Sequence, residues 1–370
     1  MQKNFSTYAL TIILMTGVLF FPSCMDDDAL WLGNQQDYSS SSQGVFVINE
    51  GNFTYGNASL SYYDPLEKQV FNDIFFNANG LPLGDVAQSM TLRDSLGFVV
   101  INNSGRIYVI NTHTFKLKGK ITGLTSPRHM LFINDEKAYV SDIYGKAITI
   151  VNPQTFEITG TIEVNNPETQ FYQHSTEQMI QVGNYVFTNC WSFDNAILVI
   201  DTETDQWVET LEVLIQPQSM VLDGQQNLWV LTDGGFQGNP FGHEQGGLLR
   251  INTTTLEVDT LHRFHLDDNP ASLSINKTKD TLYFINRHVY RYAVASAGEP
   301  ELIIESPYPS HISGGYRSLG IDPASSEIYV GDAIDHVQPG MVYRFSPSAI
   351  PVDTFRVGII PGGFAFKNEL

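Results

Sequence analysis

The sequence predicts an all-β fold, a seven-bladed β-propeller with four antiparallel strands in each blade. Three observations support this prediction. A short alternating strand that ends in a polar residue occurs seven times, the copies are spaced by roughly 40 to 54 residues, and no long helical periodicity accompanies them. Strands rich in Val, Ile, Tyr, Phe and Trp at this period are typical of propeller blades.

The seven copies share an apolar alternation followed by residues that favour turns. They are VFVINEG from Val45, FVVINNS from Phe98, AYVSDIY from Ala138, VFTNCWS from Val186, LWVLTDG from Leu228, LYFINRH from Leu282 and IYVGDAI from Ile328. A second strand follows each copy, and several of these are followed by a third. A further short segment of the type STEQM, from Ser175, precedes each copy. The repeat therefore contains four strands.

The phase of the repeat predicts how the ring closes. The chain begins with strands two, three and four of a blade, and it ends with a segment of the first-strand type, GGFAF from Gly362. Residues near 362–367 are therefore expected to pair with residues 45–49 and to complete a blade. Such closure pairs the inner edge that the strand from Val45 would otherwise leave free. Six or eight blades are the alternatives, because residues 234–246 could be an insertion that hides the count.

The first residues predict export and lipid attachment. Lys3 precedes an apolar run at 8–21, which matches the core of a signal peptide and is short for a membrane span. Phe21, Pro22 and Ser23 before Cys24 resemble a bacterial lipobox, so we expect cleavage before Cys24 and its lipidation. The acidic cluster at 25–28 resembles the surface-export signal of Bacteroidetes lipoproteins. An ordinary acidic tether is the alternative interpretation of that cluster.

These features divide the chain into three segments. Residues 1–23 are predicted to be a lipoprotein signal peptide, residues 24–43 a flexible acidic and Ser-rich tether, and residues 44–370 the propeller. The expected location is the outer membrane, with the protein held by lipid alone and facing the cell exterior. Apart from a partner transporter, we expect a monomer.

Composition excludes some classes of function. The chain has 40 Asp and Glu residues against 20 Lys and Arg residues, which argues against nucleic acid and against anionic lipid as partners. No HExxH, GxSxG, Walker or GxGxxG pattern is found. We therefore expect a binding protein with no catalytic residue, cofactor or metal. A weak Ca²⁺ alternative rests on His243, Glu244 and the acidic turns.

Propeller geometry predicts where a ligand binds. Entries into the first strands and turns between the second and third strands lie on one face, so their side chains should meet at one mouth. The turns contribute Phe53, Tyr55, Asn103, Tyr144, Trp191, Phe193, Phe236 and Asp335. The strand entries contribute Gln88, Arg128, His129, His174, Gln178, Gln218 and Arg317. Aromatic residues there favour a flat or partly apolar ligand. The alternatives are rings packed under loops and a water-filled channel with satisfied walls.

Several segments together carry a family resemblance. INEGNFTYGNASLSYYDP, PLGDVAQSM, STEQM, VFTNCWSFDNAILVID and IYVGDAIDHVQPGMVYRF are similar to a family of Bacteroidetes surface lipoprotein propellers. That family was formerly catalogued as a domain of unknown function and is related to the YncE-like propellers, and its broad group includes the BtuG-type cobalamin-binding proteins. The resemblance implies capture of cobalamin (vitamin B12) or a related corrinoid, followed by transfer to a TonB-dependent outer-membrane transporter.

Three other functions remain open from the sequence. A glycan-binding surface lipoprotein would use the same aromatic turns. A propeller-type lactonase or lyase would need a metal, or a pair formed by His129 and His174 at the mouth. A protein-binding module for adhesion or assembly would need a large flat apolar face instead of a funnel.

Overall fold

The computed structural model describes residues 35–167, 174–296, 298–308 and 315–368. Within these residues the chain forms seven separate four-stranded antiparallel sheets and one short helix, α1 (Ile74–Asn79). The predicted seven-bladed propeller is therefore confirmed. The predicted signal peptide, the predicted lipobox with Cys24 and the acidic cluster lie outside the described residues. No helix in the described part of the chain is long and apolar enough to cross a membrane.

Each blade begins with an inner strand at the centre of the ring and continues outward through three more. Blade 1 comprises β28 (Pro361–Asn368), β1 (Gln43–Asn49), β2 (Ser59–Asp64) and β3 (Gln69–Phe71). Blade 2 comprises β4 (Ala87–Arg93), β5 (Leu96–Ile101), β6 (Arg106–Asn111) and β7 (Leu117–Thr122). Blade 3 comprises β8 (Pro127–Phe132), β9 (Ala138–Asp142), β10 (Ala147–Asn152) and β11 (Glu157–Glu163).

The remaining four blades follow the same order. Blade 4 comprises β12 (Thr176–Val182), β13 (Tyr185–Cys190), β14 (Ala196–Asp201) and β15 (Gln206–Glu212). Blade 5 comprises β16 (Pro217–Leu222), β17 (Asn227–Thr232), β18 (Gly247–Asn252) and β19 (Val258–Arg263). Blade 6 comprises β20 (Ala271–Ile275), β21 (Thr281–Asn286), β22 (His288–Ala293) and β23 (Glu301–Ile304). Blade 7 comprises β24 (Tyr316–Ile321), β25 (Ile328–Asp332), β26 (Pro339–Phe345) and β27 (Pro351–Ile359).

The ring closes where the two ends of the described chain meet. β28 pairs antiparallel with β1, with Val45 opposite Phe366 and Val47 opposite Phe364. This is the closure that the phase of the repeat predicts. The inner strands of neighbouring blades also contact one another all the way around, including β28 against β4 and β24. Residues 234–246 form the loop between β17 and β18, so the long interval is an insertion and does not hide a blade.

The hydrophobic core lies between the blades, because alternate residues of a strand face opposite sides of its sheet. In β5, Val99 and Ile101 contribute to the cluster shared with blade 1, whereas Phe98 and Val100 contribute to the cluster shared with blade 3. All four side chains are buried. Full burial of an aliphatic or aromatic side chain contributes about 1.5–3 kcal/mol. β5 therefore stabilises two interfaces.

Side chains also join the inner strands, whose backbones are not paired between blades. Ser89 donates a hydrogen bond from Oγ to the carbonyl of Arg128 at 2.6 Å. Ser318 does the same to the carbonyl of Pro361, also at 2.6 Å. These bonds satisfy backbone carbonyls that would otherwise be buried without a partner. They hold the centre of the ring in one arrangement.

Residues 35–42 correct one sequence-based boundary. The sequence predicts that they belong to a flexible tether, but they lie against blades 1 and 2. The Tyr38 ring packs 4.9 Å from that of Phe115, and the backbone N–H of Ser40 bonds to the carbonyl of His113 at 3.0 Å. The buried ammonium of Lys367 donates to the carbonyl of Ser41 at 2.7 Å. Apolar packing and a buried lysine therefore hold this segment on the propeller.

Candidate ligand-binding cavity at the centre of the ring

A cavity of about 380 Å³ lies where the seven inner strands begin. The second residue of every inner strand lines it. In blade order from blade 2 these residues are Gln88, Arg128, Glu177, Gln218, Ser272, Arg317 and Gly362. The third residues of the same strands line it as well. They are Ser89, His129, Gln178, Ser219, Leu273, Ser318 and Gly363.

Two consecutive strand residues normally point to opposite faces. In this ring all seven inner strands have a register shift against their second strand at or beside these positions. A β-bulge turns the strand locally and redirects side chains. The repeated bulge explains why each strand presents two residues to the cavity.

A buried ion pair occupies one wall of the cavity. Arg128 Nε lies 2.7 Å from Glu177 Oε1 and donates a hydrogen bond to Oε2 at 2.9 Å. The side chains are 15% and 5% exposed, respectively. Burial raises the pKa of Glu177, while Arg128 lowers it and the carboxylate of Asp142 raises it further. The pair therefore brings Arg128 to the cavity with much of its charge balanced.

His129 follows Arg128 and is the histidine of the cavity wall. Its Nε2 lies 3.8 Å from Glu177 Oε2, and 27% of its side chain is accessible. Burial and, to a smaller extent, the charge of Arg128 lower the pKa of His129 to about 3. The imidazole is therefore neutral at physiological pH and offers one donor and one acceptor.

A second arginine reaches the cavity from blade 7. Arg317 Nη2 lies 3.0 Å from Glu50 Oε1, and their side chains are 48% and 17% exposed. Glu50 lies over Gly362, since a Cβ at that glycine would be 2.2 Å from Glu50 Oε1. The absence of a side chain at position 362 therefore gives Glu50 its place beside Arg317.

Two glutamines expose donors to the cavity. Gln178 Oε1 accepts from the backbone N–H of Met220 at 2.8 Å, and Gln218 Oε1 accepts from that of Ser272 at 3.0 Å. Their carbonyl oxygens thus join neighbouring blades. Within the described residues, neither side-chain NH₂ group has a hydrogen-bond partner. Together with the two arginines, they make the wall rich in donors.

Loops between the second and third strands form the rim. Glu50 and Trp191 begin two of these loops and line the cavity, which places the loops at its mouth. Trp191 Nε1 donates to Asp233 Oδ2 at 3.0 Å, and burial raises the pKa of Asp233. The predicted rim residues Phe53, Tyr55, Tyr144 and Phe236 are exposed. Phe193 meets Phe236 edge to face, with ring centroids 6.4 Å apart.

The structure brings seven of the predicted binding residues into the cavity wall. They are Gln88, Arg128, His129, Gln178, Trp191, Gln218 and Arg317. The others are not among its lining residues. They are Phe53, Tyr55, Asn103, Tyr144, His174, Phe193, Phe236 and Asp335.

Three of those outer residues make other contacts. Asp335 Oδ1 accepts from the backbone N–H groups of Val337 and Gln338, so it stabilises its own turn. Asn103 donates to Asp85. His174 corrects a prediction, because it is buried away from the cavity, where its Nδ1 lies 2.7 Å from Asp194 Oδ2. The two histidines of the enzyme alternative thus belong to different sites.

The Ca²⁺ candidates of the sequence also make protein contacts. Glu244 Oε1 accepts from the backbone N–H of Ile215 at 2.8 Å, and His243 Nε2 lies 2.9 Å from the carbonyl of Leu266. These side chains stabilise the long β17–β18 loop.

Sequence reasoning missed Glu50, Glu177 and Ser272. A signal for Glu177 and Ser272 was present, since each occupies the same repeat position as Gln88 and Arg128. Glu50 directly follows its strand, as Trp191 does in blade 4. An alignment of the seven repeats, position by position, would have identified all three.

Comparisons with solved structures agree with this architecture. A quinonprotein alcohol dehydrogenase-like protein of Bacteroides thetaiotaomicron is 14% identical, with 90% of this chain and 79% of that chain covered and a TM-score of 0.66. The periplasmic gluconolactonase of Pseudomonas aeruginosa is 11% identical, with 89% and 99% covered and a TM-score of 0.64. At these identities the likeness shows the fold alone.

Sequence comparisons place the chain in a family. A search of curated proteins found no match. A family model matches residues 43–350, which cover most of the propeller. The chain therefore belongs to the family described as Domain of unknown function (DUF5074).

Proposed function

We propose that this protein captures a small ligand rich in hydrogen-bond acceptors at the mouth of the central cavity. The ligand that fits best is a corrinoid such as cobalamin. We further propose that the protein is a lipid-anchored surface protein that passes this ligand to a TonB-dependent outer-membrane transporter. Binding, and not catalysis, is the role proposed for the cavity.

The donor-rich wall is the observation that carries this proposal. Arg128, Arg317, Gln178 and Gln218 contribute N–H donors around one space, and the second and third residues of seven strands surround it. A ligand that offers carbonyl, phosphate or hydroxyl oxygens would satisfy these donors. Bonds to the two guanidinium groups would be the strongest, because charged donors form shorter and stronger hydrogen bonds.

Corrinoid chemistry matches both parts of the site. A corrin is a flat macrocycle that carries amide side chains around its edge, and cobalamin also carries a phosphodiester. The macrocycle is too large to enter a cavity of about 380 Å³, so it would cover the mouth. Its amide groups would then reach the donors, while exposed Tyr55, Tyr144 and Phe236 would contact its flat or apolar parts.

The position of residues 35–42 supports capture at this mouth. Ser41 Oγ donates to Asp64 Oδ2 at 2.9 Å, and Ser40 bonds to His113. Asp64 and His113 lie at turns between third and fourth strands, on the face opposite the mouth. A lipid attached at Cys24 would therefore connect to the rear of the ring and leave the mouth unobstructed.

Calorimetry and thermal unfolding with cyanocobalamin and cobinamide test the proposal. We expect micromolar or tighter binding, and a higher melting temperature because the ligand binds only the folded state. Arg317→Ala should weaken binding about tenfold, since a bond to a charged donor contributes about 1.5–3 kcal/mol. Arg93→Ala, at the other end of an inner strand, is the matched control. No binding of either corrinoid would overturn the corrinoid assignment.

Glycan binding is the second candidate, and the exposed rim aromatics favour it. Tyr55, Tyr144 and Phe236 could stack on sugar faces without any contribution from the inner wall. A glycan array separates the two functions. A glycan ligand would lose binding in Tyr144→Ala and Phe236→Ala but keep most of it in Arg317→Ala.

A further inference from the structure

We propose that His174, Cys190 and Asp194 form a metal site in blade 4, separate from the central cavity and suited to Zn²⁺. His174 lies just before β12, Cys190 ends β13, and Asp194 lies in the loop that follows. One ligand atom from each side chain lies within 4.8 Å of the other two. All three residues are buried. Among the described residues, this is the one group of His, Cys and acidic side chains whose ligand atoms lie close enough together to share a metal ion.

The donor set selects for a borderline ion. Thiolate sulfur, imidazole nitrogen and carboxylate oxygen are the three kinds of ligand that Zn²⁺ takes in proteins. Three protein ligands with a fourth position left for water or substrate are the arrangement of many non-structural zinc sites. Hard cations such as Ca²⁺ and Mg²⁺ prefer a shell made of oxygen alone, so the thiol and the imidazole disfavour them.

The local electric field favours a cation. The carboxylate of Asp194 lies within the cluster and would stabilise a positive ion there. Binding would release the thiol proton to water. The imidazole Nδ1, which faces Asp194 Oδ2 at 2.7 Å, would bind the ion as part of a neutral ring that keeps its proton on Nε2.

Hydrogen bonds hold the loop that carries the ligands, and a pocket gives an ion access to the cluster. Asn195 N–H donates to Asp194 Oδ1 at 2.8 Å, and Ser175 Oγ donates to the carbonyl of Ser192 at 2.8 Å, so the ligand loop is held. His174 and Asp194 line an outer pocket of about 600 Å³ that also contacts Asn166 and Trp207. This pocket offers a path for the ion and room for water as a fourth ligand.

A structural contact between His174 and Asp194 would not require Cys190 beside them. That pair alone could simply join the segment before β12 to the β13–β14 loop. Cys190 needs no polar neighbour if its only role is to fill the core, because free cysteine packs as a small apolar residue. Its position beside both other ligands, which themselves line the outer pocket, is what points to metal binding.

Co²⁺ is the probe that tests the site in the whole mature protein. We expect one Co²⁺ per chain, with a near-ultraviolet band from thiolate-to-cobalt charge transfer and visible bands typical of four ligands. Zn²⁺ should displace it. Cys190→Ala should remove the charge-transfer band and weaken binding at least about 100-fold, because loss of a ligand exceeds the 10–100-fold effect of its outer partners. His336→Gln, which changes a residue of the β25–β26 loop in blade 7 that does not line the outer pocket, should bind as the unaltered protein does.

A second measurement uses only the unaltered protein, so it remains valid even if Cys190→Ala does not fold. Native mass spectrometry of the unaltered protein should find one Zn²⁺ per chain, which a strong chelator removes with a fall in melting temperature. A spectrum with no thiolate band, or Co²⁺ binding that is equal in Cys190→Ala, would overturn the proposal. Either result would leave the three residues as a structural contact. Neither result bears on ligand capture at the central cavity, which Arg317→Ala reports separately.

Discussion

Two arginine–glutamate pairs line the same cavity at equivalent positions of the repeat, yet their surroundings differ. Arg128 and Arg317 are the second residues of β8 and β24. Arg128 and Glu177 are 15% and 5% exposed, whereas Arg317 and Glu50 are 48% and 17% exposed. Glu177 comes from β12, the inner strand of the next blade, whereas Glu50 comes from the loop after β1. One pair is therefore built into the wall, and the other stands at the mouth.

This difference assigns different tasks to two similar contacts. Separating the charges of a buried pair leaves one of them without compensation in a low-dielectric environment, which is strongly unfavourable. An exposed pair contributes little, because water screens each charge. We infer that Arg128 and Glu177 hold the wall in shape, while Arg317 can exchange Glu50 for a ligand oxygen.

The largest expected effect is on the buried pair. Glu177→Gln should lower the free energy of unfolding by about 3 kcal/mol, because Arg128 would keep its charge without a carboxylate partner. Urea unfolding measures this change. The matched variant Glu50→Gln should cost less than about 1 kcal/mol. Equal effects of the two variants would remove the distinction between wall and mouth.

The next effect is a pH dependence of stability that comes from His129. Its pKa is about 3 in the folded protein, compared with about 6.5 for an ordinary histidine. Between these values the unfolded state binds more protons, so stability is complete above pH 6.5 and falls as the pH decreases toward 3. At pH 4 the loss should reach up to about 3 kcal/mol.

His129→Gln tests the source of this pH dependence. Glutamine keeps a donor and an acceptor but does not titrate, so the stability of this variant should vary less between pH 6.5 and pH 4. Thermal unfolding across this range measures both proteins, and His243→Gln serves as the control. A slope that is unchanged in His129→Gln would assign the acid sensitivity to other groups.

A smaller effect is expected at the exposed pair, and it concerns affinity. In Glu50→Gln the competing carboxylate is gone, so Arg317 should bind an acceptor-rich ligand about threefold more tightly, a gain of less than about 1 kcal/mol. Gly362→Ala should act in the same direction, because its Cβ would displace the Glu50 carboxylate. Calorimetry with cyanocobalamin compares both variants with the unaltered protein. Weaker binding in both would mean that Glu50 itself contacts the ligand.

The smallest effect on stability is expected at the rim. Tyr55 is 77% exposed, so Tyr55→Ala should change the free energy of unfolding by less than about 0.5 kcal/mol. If the ligand covers the mouth, the same variant should weaken its binding. Denaturant unfolding and calorimetry on one preparation separate the two effects. A large loss of stability would show that Tyr55 belongs to the fold and not to the rim.

The fold could be predicted from the sequence because blades repeat their pattern locally. Each strand shows its own alternation, and the phase of the seven copies was enough to predict β28 beside β1. Part of the site followed from the same geometry, since Arg128 and Arg317 stand at equivalent strand entries. His174 does not hold that position, because Glu177 does so in blade 4. His174 lies three residues earlier, before β12, and contacts Asp194 away from the cavity.

Sequence alone determined the number of blades, their closure and the face on which polar strand entries meet, because these depend on periodicity and chain direction. Only the tertiary structure decided which side chains face the cavity, since that depends on a bulge in every inner strand and on contacts between blades. Glu50 reaches Arg317, and Glu177 reaches Arg128, across blade boundaries. Cys190 meets His174 and Asp194 only after β12 and β13 have paired. Such pairings join residues from different strands and loops, and no single segment of the sequence contains them.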